Sequence, residues 1–95
     1  MPVAVEMNFS GATIDQYDQI LEKMHLTPGG STPPGAIFHW AAKTDGGMHI
    51  VDVWETKEHF ERFAEEQIGP YSREVGIEEQ PEMLFYDVHA YLSAG

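Results

Sequence analysis

From Val3 to Phe9 the chain alternates, with Val3, Val5, Met7 and Phe9 on one face and Ala4, Glu6 and Asn8 on the other. A period of two with one apolar face predicts a half-buried strand. Ser10-Gly11 ends it. The period then changes to that of a helix. Ile14, Tyr17, Leu21 and Met24, helped by Ile20, make one apolar stripe and predict a helix over Thr13–His25. Thr13 suits the N-cap, with Gln16 as the reciprocal partner of a capping box. Asp15 and Asp18 complement the positive end of the helix dipole, and His25 the negative end.

Leu26–Gly35 reads LTPGGSTPPG, and its prolines and glycines exclude regular structure. It is read as a connector, with a loop at the mouth of a pocket as the alternative. Strand character returns at Ala36–Ala42 and again at Met48–Glu55. Asp45-Gly46 between them, flanked by alternating apolar residues, predicts a β-hairpin. If these two form the turn, Thr44 faces Gly47 and His39 lies opposite Asp52. A longer turn would shift the register by one and separate the pair.

Thr56 is placed to cap a second helix from Lys57 to about Ile68. Phe60, Phe63, Ala64 and Ile68 form its apolar stripe, and Glu55, Glu58, Glu61 and Glu65 its solvated side. Gly69-Pro70 is expected to interrupt it before a short helical piece, Tyr71–Val75. Glu78–Pro81 is a linker, and Met83–Leu92 the last strand, apolar on both faces.

The order β-α-β-β-α-β in 95 residues predicts a single α+β domain spanning residues 1–95. The expected fold is ferredoxin-like: a four-stranded antiparallel sheet with two helices on one face. Aromatic residues on the other face imply a cover, and a second copy of the chain is the simplest one.

Composition narrows the partners. Sixteen acids against five bases give a formal charge of −11, which repels phosphate backbones and anionic membranes. No apolar run approaches the roughly 20 residues of a membrane span. The N-terminus lacks the features of a secretory signal. With no cysteine there is neither a disulfide framework nor a thiolate nucleophile, and a cytoplasmic setting is expected.

The run GAIFHWAAKTDGGMHIVDVWETKEHFERF, followed by Pro70, Gly76 and a final Val88-His89, resembles small bacterial proteins of the dimeric α/β-barrel superfamily. This is the group that includes the antibiotic-biosynthesis monooxygenases. The strand-to-helix junction DVWETKEHFERF carries most of the likeness. The resemblance implies the fold and a homodimer. For chemistry it spans quinone-forming monooxygenases, haem-degrading enzymes, polyketide cyclases and stress-response proteins. The haem-degrading branch calls for an Asn in the first strand, matched by Asn8. It also calls for a Trp and a His in the second helix, where this chain has Phe63 and Arg73.

Among residues that could carry chemistry, His39 and Asp52 come first. A carboxylate accepting from one imidazole nitrogen leaves the other free as a base. His89, with Asp87 and Tyr91 on its strand face, is the second candidate base, across the sheet from His39. Core or interface packing competes with both assignments. Trp40, Trp54, Phe63 and Tyr71 form an aromatic set able to wall a pocket for a flat hydrophobic ligand. His25, His39, His49, His59 and His89 show no metal-ligand spacing, and no phosphate-binding loop or nucleophile elbow is present.

The expectation is a small-molecule enzyme resembling cofactor-independent monooxygenases, acting without metal or cofactor on an aromatic or polyketide-like substrate. His39, Asp52 and His89 are its candidate catalytic residues. Asn8, Trp40, Trp54, Phe63 and Tyr71 are its candidate substrate contacts. The alternatives are a non-catalytic dimeric ligand-binding or stress-response protein and a polyketide-cyclase-like enzyme.

Overall fold

In the computed structural model, which describes residues 1–93, the elements are β1 (Val3–Ser10), α1 (Ile14–Lys23), β2 (Ala36–Thr44), β3 (Gly47–Trp54), α2 (Lys57–Phe63), a π-helical turn (Ala64–Ile68), α3 (Gly69–Glu74) and β4 (Glu82–Asp87). The four strands form one antiparallel sheet in the order β2-β3-β1-β4. This is the ferredoxin-like α+β arrangement, with the helical layer on one face. Among the described residues, no helix is long and apolar enough to cross a membrane.

The alternating residues of β1 and β3 build the core beneath the helices. Val3, Val5, Met7 and Phe9 pack with Met48, Ile50, Trp54 and Phe60, all buried. Trp54 meets Phe60 edge-on at 5.9 Å, and Phe60 meets Phe85 of β4 in the same way at 5.8 Å. Removing either large ring would cost about 3–5 kcal/mol through lost burial and the cavity left behind.

Thr13 and Gln16 form the expected capping box, and the side chain of Gln16 also reaches the carbonyl of Val75 at 3.1 Å. That second bond ties α1 to the end of α3. Past Met24, His25 adopts φ +60°. Its amide donates to the carbonyl of Glu22, and that of Leu26 to the carbonyl of Leu21. This is a Schellman ending with histidine where glycine is usual.

Three sequence expectations change. First, the second helix does not stop at Gly69-Pro70. The amide of Gly69 reaches back to the carbonyl of Ala64, a π turn. A proline ring collides with the carbonyl four residues earlier in an α-helix. The wider turn relieves that collision, and the chain continues helically into α3. Second, β4 ends at Asp87 rather than Leu92. Its partner β1 begins at Val3, which faces Asp87, so no strand remains for later residues to pair with. Among the described residues the last backbone tie is Val88 donating to the carbonyl of Pro2. Third, β2 runs to Thr44 and carries a bulge. Ala36 pairs with Trp54 and Phe38 with Val53, leaving Ile37 extra.

The hairpin turns on Asp45-Gly46 alone, so Thr44 faces Gly47 and His39 faces Asp52. Gly47 is required here, because a Cβ would sit 1.8 Å from the carbonyl oxygen of Phe9.

Candidate functional site

A cavity of about 400 Å³ lies between the sheet and the helices. Its floor comes from β1, β2 and β3, including Met7, His39, Ile50 and Asp52. Tyr17, Ile20 and Leu21 of α1 form one wall; Phe63, Ile68 and Ser72 form another. The loop from Leu26 to Pro33 closes a third side, so the proline-glycine segment borders the cavity instead of merely connecting elements.

Four side chains are linked by hydrogen bonds in this apolar setting. His39 Nδ1 lies 2.5 Å from Asp52 Oδ1. The indole Nε1–H of Trp54 donates to the other oxygen, Oδ2, at 3.1 Å. Asp52 is 4% exposed, and these two donors offset the cost of removing a carboxylate from water. A carboxylate only accepts, so Nδ1 is the nitrogen that carries the proton. Neutral His39 then presents Nε2 as an acceptor. The Tyr17 hydroxyl lies 2.5 Å from Nε2, with the two rings only 4° from parallel. Tyr17 thus donates to His39, and His39 donates to Asp52.

Burial, with the negative charges of Asp52 and then Asp18, pushes the Tyr17 phenol up to about 12. It is a neutral donor throughout the physiological range.

The β2 bulge contributes to this geometry. Ala36 and His39 are three apart and would point to opposite faces of a regular strand. With Ile37 extra, both border the cavity, opposite Trp54 and Asp52.

The sequence candidates divide. His39, Asp52, Trp54 and Phe63 come together at the cavity, with Trp54 and Phe63 ring centroids 5.0 Å apart. Trp40 borders the cavity rim, but strand alternation sends its indole to the open face, 5.4 Å from the His49 ring. Asn8 is on that open face too, accepting from His49 Nδ1 at 2.6 Å and donating to Glu82 at 3.2 Å. Tyr71 does not line the cavity; its neighbour Ser72 does. His89 is exposed in the segment after β4, which begins at the sheet edge opposite β2.

Two residues of the cavity escaped the sequence reading. Tyr17 was legible only as one member of an apolar helical stripe. A phenol within such a stripe does need a partner for its hydroxyl, and that was the available signal. Ser72 gave no signal at all. Among the described residues, no three His, Asp or Glu side chains gather as they would to hold a metal ion.

No family model matches the sequence, and no curated protein matches it significantly by sequence. Solved structures do match. One is an Asn-to-Ala variant of SnoaB, a cofactor-independent oxygenase from Streptomyces nogalater. It is 14% identical with a TM-score of 0.60, and the match covers 96% of this chain and 95% of that one. Another is a candidate antibiotic biosynthesis monooxygenase from Deinococcus radiodurans. It is 10% identical with a TM-score of 0.57, and the match covers 100% of this chain and 99% of that one. At these identities the likeness is one of fold. The chain therefore shares the fold of these two structures, a four-stranded antiparallel sheet covered on one face by helices.

Proposed function

We propose that this protein is a cofactor-independent oxygenase that acts on an aromatic or polyketide-like substrate held between sheet and helices. The observation that carries the reading is the Tyr17–His39–Asp52 hydrogen-bond chain at an otherwise apolar cavity. The likeness in fold to SnoaB agrees with it.

In this reading Tyr17 touches the substrate. It accepts the proton of an acidic C–H or phenolic group as its own proton passes to His39 Nε2. Asp52 holds the ring and balances the imidazolium charge. The substrate carbanion then gives its electrons to dioxygen, and a carbon–oxygen bond forms to make a hydroperoxide. Loss of water, with the proton returned through Tyr17, leaves a carbonyl at the oxidised carbon. One oxygen atom enters the product and the other leaves as water. Trp54 and Phe63 serve as walls. His89 and Asn8 have no part in this scheme.

A homodimer belongs to the same reading. Phe38, Trp40, Leu84 and Tyr86 are more than 40% exposed on the sheet face away from the helices. A second copy packed there would remove them from water. A cytoplasmic setting also goes with it, since the chain has no cysteine to exploit an oxidising compartment.

The test is oxygen uptake with anthrone. Wild-type protein is expected to consume oxygen, with His39→Ala and Tyr17→Phe slower by about 10²-fold or more. Full-rate uptake by His39→Ala would overturn the assignment. Anthrone binding without oxygen consumption would instead indicate a ligand-binding protein, and anaerobic cyclisation of a polyketide a cyclase.

A further inference from the structure

Ser72 lies in α3 and borders the cavity. It is 8% exposed, and its Oγ is the buried side-chain polar atom without a hydrogen-bond partner among the described residues. A serine inside a helix commonly satisfies its hydroxyl on the carbonyl one turn earlier. Here it does not, and a buried hydroxyl left unpaired destabilises the fold. Alanine would fit the same helical position without that cost. The other polar side chains deep in the cavity are already paired with one another: Tyr17 with His39, and Asp52 with His39 and Trp54.

The charge of the lining adds a second constraint. Among the described residues no lysine or arginine borders the cavity, and Asp52 places a carboxylate in its floor. The whole chain carries −11. A carboxylate, sulfate or phosphate on a ligand would meet no fixed positive charge there, and burying one unpaired is costly.

We propose that Ser72 is the residue that selects the ligand. Its hydroxyl donates to an oxygen of a neutral, flat, apolar molecule, a ketone or quinone carbonyl, and the cation-free lining rejects anionic or carrier-phosphate-bound forms of the same skeleton. This rests on the ligand pocket of the oxygenase reading but not on oxygen chemistry. Ser72 is a positioning residue, separate from the Tyr17–His39–Asp52 chain.

The experiment is equilibrium binding without oxygen, followed by tryptophan fluorescence because Trp54 lines the cavity. The probes are anthrone, 9,10-dihydroanthracene (the same skeleton without the carbonyl) and anthraquinone-2-carboxylate. Wild-type protein should bind anthrone most tightly and the carboxylate least. Ser72→Ala should melt no lower than wild type, because the lost hydroxyl had no protein partner. It should bind anthrone about 3- to 10-fold more weakly, the range of one neutral hydrogen bond. Its affinity for dihydroanthracene should not change.

Equal losses for anthrone and dihydroanthracene, or no loss for either, would overturn the proposal. So would a lower melting temperature for Ser72→Ala, binding of the carboxylate as tight as that of anthrone, or no binding of anthrone by wild type. Selective anthrone binding together with absent oxygen uptake would leave the Ser72 proposal standing and remove the oxygenase reading.

Discussion

Tyr17, His39, Asp52 and Trp54 form a polar thread through an apolar layer, and each link depends on the next. Trp54 and His39 keep the buried carboxylate satisfied; the carboxylate sets the imidazole tautomer; the imidazole receives the phenol. The Tyr17 phenol is pushed up to about 12. Absorbance titration of phenolate should therefore show one tyrosine ionising near pH 12, and Tyr17→Phe should remove that late component. The folded state holds the Tyr17 proton more tightly than the unfolded chain, whose phenol titrates near 10. This stabilisation is complete below about pH 10 and is lost as pH rises through about 12. Tyr17→Phe should flatten the fall in stability over that window. An unchanged alkaline denaturation curve would contradict the geometry.

Among the elements, the helix ends and the irregular turns place the side chains. The Gln16 bond to Val75 holds α1 against α3, on the turn that presents Tyr17. The bulge at Ile37 turns His39 onto the same face as Ala36. The π turn carries the helix past Pro70, so that Ile68 and Ser72 both reach the cavity. His25 shows a local conflict. Left-handed backbone costs an L-residue roughly 1–2 kcal/mol, and histidine tolerates it better than most. His25→Gly should raise stability by about 0.5–1 kcal/mol, part of the relief being offset by the extra freedom of glycine in the unfolded chain. That corresponds to a few degrees in Tm for a domain of this size. A β-branched residue, as in His25→Val, should lower Tm. A higher Tm for the valine variant would show that the Schellman ending does not govern this turn.

Across the whole molecule, the sheet has one covered and one open face. The helices cover Val5, Met7 and Trp54 completely, while Phe38, Leu84 and Tyr86 stay in water on the other side. The His49–Asn8–Glu82 bonds cross β3, β1 and β4 on that open face and give it a polar marker among apolar groups. Light scattering with size exclusion should find a dimer at micromolar concentration. Phe38→Asp combined with Leu84→Asp should weaken it by more than tenfold, each substitution putting an unpaired charge where an apolar group would be covered. A monomeric wild type, or a double variant as dimeric as wild type, would exclude this face as the contact.

Local periodicity carried the element order, the Thr13–Gln16 capping box and the two-residue hairpin. Each depends on neighbours a few positions apart, whose geometry the backbone dictates. Given that turn, the pairing of His39 with Asp52 followed by counting. The alternation of β1 also separated Asn8 from Val5 and Met7, although not which face would hold a cavity. Tertiary structure decided the rest. Tyr17 meets His39 across 22 positions of sequence because α1 docks on β2 with one particular side. The extra residue at Ile37 and the orientation of Ser72 are set by packing against distant strands and helices. A single added residue reverses the face of every side chain before it in a strand. The residue types at this site could therefore be read from the sequence, but their assembly into one hydrogen-bonded chain depends on long-range docking of α1, β2 and β3.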